Sequence, residues 1–191
     1  MSMGYFPFLV DVENLHGVII GGGHVALEKV ERLLSFNGKL TLIATTICDE
    51  IKEYSDRIEL IEKEYQSGDL QDADYVIAAT NDPVINKMIY DDAKEQRLLV
   101  NAVDQPEICD FIFPSVIQRG RLVIGVSTSG AGPRVAIRLR KNIEKIIPDN
   151  IEEILDKLAE ERIRVKEEIK DPAKRREYLI ELANKLLDDE N

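Results

Sequence analysis

Three consecutive glycines closing a β-branched run constrain this chain more than any other feature. Val18-Ile19-Ile20 leads into Gly21-Gly22-Gly23-His24-Val25-Ala26, a G-x-G-x-x-A sequence. A helical pattern follows over residues 25–36, with Val25, Val30, Leu33 and Leu34 spaced among charged residues. Residues without a Cβ let the backbone turn sharply and let a pyrophosphate approach it. There the free N–H groups and the positive end of the helix dipole favour an anion. Ala26, in the place of a third glycine, still permits close packing of helix on strand. A tight turn without a ligand is the plainer alternative. The order strand, loop, helix favours a dinucleotide.

The rest of the first hundred residues repeats the alternation. Asn37-Gly38 predicts the end of the first helix, because both residue types tolerate a left-handed backbone. Leu40-Thr41-Leu42-Ile43, residues 58–61, Tyr75-Val76-Ile77-Ala78-Ala79 and Leu98-Leu99-Val100 read as further strands. Short or long helical patterns occupy residues 48–55 and 83–96, and a polar connection residues 66–72. Strands alternating with helices predict an α/β fold, a Rossmann-like doubly wound parallel sheet. The pattern then changes. Residues 111–117 and 122–127 read as a hairpin around Gln118-Arg119-Gly120-Arg121. Pro133 opens a helix to about residue 147, Pro148-Asp149-Asn150 breaks it, and helices continue from Ile151 and from Asp171-Pro172. The expected organisation is a dinucleotide-binding domain over residues 1–113, a hairpin and helix over 114–147, and a helical segment over 148–191.

Doubly wound folds bind ligands at the carboxyl ends of their strands, which selects the candidate residues. An acidic residue that would hold the adenosine ribose, about 20 positions past the glycines, is missing. Ala44-Thr45-Thr46 ends the second strand instead, and no arginine stands there to receive a 2′-phosphate. NAD and NADP are not separated by these residues. Thr80-Asn81-Asp82 follows the fourth strand, as ligand contact, as a helix cap before Pro83, or both. Asn101-Ala102-Val103-Asp104 follows the fifth. Asp104 is the best-placed carboxylate to accept a proton beside a nicotinamide, or else an Asx turn before Pro106. Asp110 is a rival. Cys109 reads as a small buried residue, and His16 as a surface residue.

Charge excludes some partners and suggests another. The formal net charge of the 191 residues is -11, which disfavours nucleic acid and an anionic membrane surface. Two distant cysteines, Cys48 and Cys109, and two histidines predict neither a disulfide framework nor a protein metal site. Residues 1–7 lack a basic start and a long apolar run, so no signal peptide is expected, and a cytoplasmic location is the simplest reading. Yet residues 117–145 hold seven basic residues and one acid, Glu144, a local charge of +6. Arg134 and Arg138 in that island, with Ser127-Thr128-Ser129-Gly130 before the helix at Pro133, describe a second anion site. A solvated helix face or a subunit interface is the competing reading.

Taken in order, five motifs carry a family resemblance. They are Gly21-Gly22-Gly23-His24-Val25-Ala26, Ala79-Thr80-Asn81-Asp82 with Asn86, Asn101-Ala102-Val103-Asp104, Cys109-Asp110-Phe111-Ile112-Phe113-Pro114, and Ser127-Thr128-Ser129-Gly130 with Pro133. Together, over residues 6–141, they resemble the precorrin-2 dehydrogenase family, the dehydrogenase/ferrochelatase module of sirohaem synthase. The resemblance implies NAD-dependent oxidation of precorrin-2, a tetrapyrrole with many carboxylates, to sirohydrochlorin, with ferrous iron inserted by some members. It implies that Asp104 is the catalytic carboxylate, and that His24, Val25, Thr45 and Thr46 contact NAD. It implies that Ser127, Thr128 and Ser129 border the tetrapyrrole, and that members are homodimers. Thr128 stands where some members have serine. A regulatory dinucleotide-sensing module is the alternative in another class. It would need the glycine loop but neither the Asp104 stretch nor the basic island.

Overall fold

In the computed structural model, which describes residues 4–188, apolar strands buried on both faces form the centre of a five-stranded sheet. The chain divides into two units between Ile112 and Phe113. In the first, β1 (His16–Ile20), β2 (Lys39–Ala44), β3 (Glu59–Glu62), β4 (Tyr75–Ala78) and β5 (Leu99–Ala102) are all parallel, in the order β3-β2-β1-β4-β5. The crossovers carry α1 (His24–Leu34), α2 (Asp49–Lys52) and α3 (Pro83–Glu95). The chain winds outward from β1 through β2 to β3, then returns to place β4 on the other side of β1. This reversal opens a crevice between the carboxyl ends of β1 and β4, the binding place of doubly wound sheets.

Burial explains why the central strands lack polar alternation. Ile19, Leu42 and Ile77 are fully buried, and so are Val18, Val76 and Val100. Each such side chain contributes roughly 1.5–3 kcal/mol relative to exposure. Leu70, in the connection expected to be merely polar, is fully buried against the sheet with Ile89 and Ala93 of α3. It sits on a one-turn 3-10 helix, Ser67–Leu70. The first helix ends where its sequence predicts: Asn37 has φ +57°, and Gly38 donates to the Leu33 carbonyl at 3.0 Å. His16 is not simply a surface residue. It is the first residue of β1, half-buried, with Nε2 2.9 Å from the Thr41 hydroxyl.

In the second unit, β6 (Ser115–Arg119) and β7 (Leu122–Val126) form an antiparallel hairpin. Its turn places Gly120 at φ +53°. The helices are α4 (Pro133–Glu144), α5 (Ile151–Glu168) and α6 (Pro172–Asp188). Ile117, Ala136, Ile151, Ile154 and Val165 are buried. The strand expected from residue 111 begins only at Ser115, because Pro114 has no N–H for a ladder. Phe111 belongs to the first unit. Its carbonyl accepts from Asn101 Nδ2 at 2.9 Å, and its ring meets Tyr75 edge-on at 6.1 Å. Among the described residues no helix is long and apolar enough to cross a membrane.

Candidate functional site

The glycines lie at the reversal of the sheet, each under a different constraint. Gly21 has φ +125°, and a Cβ there would strike the Ala79 carbonyl oxygen. Gly22 faces the Thr46 carbonyl and would strike it in the same way. A Cβ added at Gly23 would meet nothing within 4 Å among the described residues, so this side of the loop is bare. It is also the N-cap of α1 and offers no side-chain acceptor to the first turn. The orphan N–H groups of that turn are therefore left for an outside anion. Ala26 is fully buried, giving the close helix–strand contact expected of it.

These glycines open on a cavity of about 1050 Å³ lined from four strand ends. Residues 21–25 line it after β1, Thr45, Thr46 and Cys48 after β2, and Thr80, Asn81 and Asp82 after β4. All nine candidate cofactor residues, Gly21, Gly22, Gly23, His24, Val25, Thr45, Thr46, Thr80 and Asn81, thus border one cavity. The polar groups after β4 are largely engaged. Asp82 caps α3, its carboxylate accepting from Val84 N–H at 2.8 Å and Ile85 N–H at 3.4 Å. Thr80 Oγ1 donates to Asn86 Oδ1 at 2.7 Å, and Asn86 Nδ2 donates to the Thr80 carbonyl at 3.2 Å. Buried Asn86 therefore fixes the height of the Thr80 loop.

Residue order alone did not point to the segment after β3. Lys63, Glu64 and Tyr65 line the same cavity. The Lys63 ammonium is paired with Asp69. Tyr65 donates to Asp92 at 2.8 Å. Burial, followed by that hydrogen bond, raises its phenol well above the ordinary range. The rule that ligands bind beyond the carboxyl ends of strands, applied to the third strand as to the others, is the signal that finds them.

Asp104 follows β5 with φ +60°, a backbone that aspartate tolerates better than most residues. Its neighbours are tied down: Val103 N–H donates to the Ala78 carbonyl at 2.9 Å and Gln105 N–H to the Ala102 carbonyl at 3.3 Å. The Asp104 side chain is exposed and is not among those lining the cavity. Its charge is felt by Lys29 on α1, whose pKa is lowered chiefly by burial and raised in part by Asp104. The rival Asp110 is occupied elsewhere, with Lys94 and with Val100 N–H at 2.9 Å. Cys109 is half-buried rather than fully buried. Its thiol accepts from Ala102 N–H at 3.2 Å, and burial pushes its pKa up, which suits packing rather than nucleophilic chemistry.

In the second unit the loop before α4 is shaped by its own hydroxyls. Ser127 Oγ accepts from Ser129 N–H at 3.0 Å, and Thr128 Oγ1 accepts from Gly132 N–H at 3.1 Å. Ser129 and Gly130 take φ +51° and +84°, and Gly132 caps α4 without a side-chain bond. Arg134 and Arg138, one turn apart, are exposed. Much of the basic island is engaged: Arg121 with Asp156 at 2.8 Å, Arg140 with Glu144 at 2.8 Å, and Arg119 near Asp149 at 3.9 Å. Among the described residues no cluster of three or more histidine, cysteine or acidic side chains could hold a metal ion.

Comparison with known proteins bears on both units. An NAD(P)-binding family matches residues 8–115, and a family described as the central part of a sirohaem biosynthesis protein matches residues 119–146. The siroheme synthase of Methylococcus capsulatus is 36% identical over 178 residues, covering 92% of this chain and 38% of that protein. The siroheme synthase of Actinobacillus pleuropneumoniae serotype 3 is 32% identical over 178 residues, covering 92% of this chain and 37% of that protein. The chain thus spans under two-fifths of the length of these curated relatives. Among solved structures, SirC, a precorrin-2 dehydrogenase, superposes with a TM-score of 0.78 at 23% identity, over 93% of this chain and 89% of that one. That likeness establishes the shared fold.

Proposed function

Because the chain belongs to the NAD(P)-binding family matched over residues 8–115, and its relatives are siroheme synthases, we propose that it is an NAD-dependent precorrin-2 dehydrogenase producing sirohydrochlorin. One observation carries this reading: a glycine loop with a bare side at Gly23 and an uncapped α1, opening on a cavity of about 1050 Å³ at the sheet reversal. The residues fit a dinucleotide. Gly21, Gly22 and Gly23 give its pyrophosphate an approach free of side chains, and the first turn of α1 supplies N–H donors.

When bound, NAD supplies the hydride acceptor for a substrate losing two hydrogens. The second hydrogen leaves as a proton. Asp104, the carboxylate that follows β5, takes it, since the rival Asp110 is held by Lys94. Thr80, set by Asn86, and Asn81 border the cavity after β4. The tetrapyrrole's carboxylates meet Arg134 and Arg138, with Ser127, Thr128 and Ser129 shaping the loop ahead of them. The protein acts as a homodimer in the cytoplasm. Val135 and Leu139, on one face of α4 and 54% and 46% exposed, support an interface there.

The test mixes protein, precorrin-2 and NAD, and follows NADH formation together with the tetrapyrrole spectrum. Matched loss of precorrin-2 and gain of NADH is the expected result. A folded protein that reduces neither NAD nor NADP would remove the enzyme reading and leave dinucleotide sensing.

A further inference from the structure

The carboxylate that doubly wound folds usually place after the second strand, to hold the adenosine ribose, is absent here: β2 runs into Thr45 and Thr46. The structure offers a replacement from the next strand. Ala44 at the end of β2 is paired with Glu62 at the end of β3, and Lys63 N–H donates to the Ala44 carbonyl at 3.0 Å. The residues immediately after β3 therefore border the cavity with Thr45 and Thr46.

Two charged side chains compete for a role there. Lys63 is neutralised by Asp69, whose carboxylate is only 11% exposed and also accepts from Gln66 N–H at 2.8 Å. Glu64 is exposed, lines the cavity, and has no hydrogen bond or ion pair among the described residues. The carboxylate of Asp82, the other acid of the cavity, is committed to the first turn of α3. The free negative charge at this end of the cavity is therefore that of Glu64.

We propose that Glu64 reads the adenosine ribose of the bound dinucleotide, accepting from its free hydroxyls and excluding a 2′-phosphate. The assignment rests on the cofactor reading given above. A carboxylate accepts from the 2′- and 3′-hydroxyls of NAD, and the same charge repels the doubly negative phosphate of NADP. Lys63 does not reverse that preference, because Asp69 holds it.

The experiment is direct titration of the full chain with NADH and with NADPH, read by calorimetry or nucleotide fluorescence and needing no tetrapyrrole. Wild type is expected to bind NADH at least about 10-fold more tightly than NADPH. Glu64→Gln should narrow that ratio to within about 3-fold, and Glu64→Lys should bring NADPH level or ahead. Glu62→Gln, outside the cavity, should leave the ratio unchanged, and circular dichroism verifies that each variant is folded. Wild type that binds neither nucleotide overturns the cofactor reading itself. Wild type that prefers NADH, with the same ratio in Glu64→Gln and Glu64→Lys, overturns the assignment of Glu64 alone. Wild type without a preference overturns it too.

Discussion

Lys94 grips Asp110 at two points, its Nζ lying 2.5 Å from each carboxylate oxygen, while Asp110 also accepts from the Val100 N–H at 2.9 Å. This acid anchors the return of the chain to β5. Asp110→Asn is expected to cost about 1–3 kcal/mol of stability, since the charge that pairs with Lys94 and strengthens the bond from the Val100 N–H is lost, while dinucleotide binding stays near wild type. Asp104→Asn should instead keep the melting temperature and NADH binding of the wild type and abolish turnover. Calorimetry and turnover measured on both variants decide the matter. Wild-type turnover from Asp104→Asn would reject Asp104 as the proton acceptor.

The three glycines should separate by phenotype. Gly21→Ala forces a Cβ onto the Ala79 carbonyl at φ +125° and should lose ~1–3 kcal/mol of stability. Gly23→Ala has open space and should keep the wild-type melting temperature, yet bind NADH at least about 10-fold more weakly. A Gly23→Ala protein that binds NADH normally would show that no phosphate approaches this side of the loop.

Arg134 and Arg138 are exposed, one turn apart on α4, whereas Arg140 is committed to Glu144. Arg134→Glu and Arg138→Glu should weaken sirohydrochlorin binding by about 10-fold or more and make the remaining binding less sensitive to salt. NADH affinity should hardly move. Parallel losses of both ligands would count against a tetrapyrrole role for this face.

The α5 and α6 helices are joined by a polar cluster in which Glu161 accepts from Arg164 and from the Tyr178 hydroxyl at 2.7 Å. These bonds, Arg164 first, hold the Glu161 carboxyl down at about 2. A depressed carboxyl stabilises the folded form above the ordinary glutamate range, and that contribution is lost as pH falls toward 2. Wild type should therefore lose more melting temperature between pH 5 and pH 2.5 than Glu161→Gln, which lacks the titrating group. Parallel slopes for the two proteins would show that the cluster adds nothing in that window.

Tyr75 presents the opposite case. Its hydroxyl is buried with no partner among the described residues, and burial pushes the phenol up to about 12. The ring lies over Gly17, where a Cβ would collide with it. Tyr75→Phe keeps that ring and removes the orphan, so stability should stay level or rise by up to about 1 kcal/mol. Denaturant titration reads this directly; a loss above about 1 kcal/mol would mean that the hydroxyl is satisfied in solution.

Legibility followed the range of the forces involved. The strand–loop–helix at Val18 to Ala26, the stop at Asn37-Gly38 and the Asp82 cap before Pro83 are decided by neighbours in the chain, so period and turn chemistry located them. The apolar run from residue 111 pairs as a strand only from Ser115, because Pro114 has no N–H to give to a ladder however apolar its neighbours are. His16 looked like a surface residue because its partner Thr41 is 25 positions away.

The sequence by itself determined the alternation of elements, the glycine turn and the identity of the charged groups available, because each depends on local sterics or on composition. Only the tertiary structure decided which of those charges are free. Asp110 and Lys63 are occupied by Lys94 and Asp69, whereas Glu64 is left facing the cavity. Pairing depends on how distant segments meet once the sheet closes, and a one-dimensional pattern carries no distances between them.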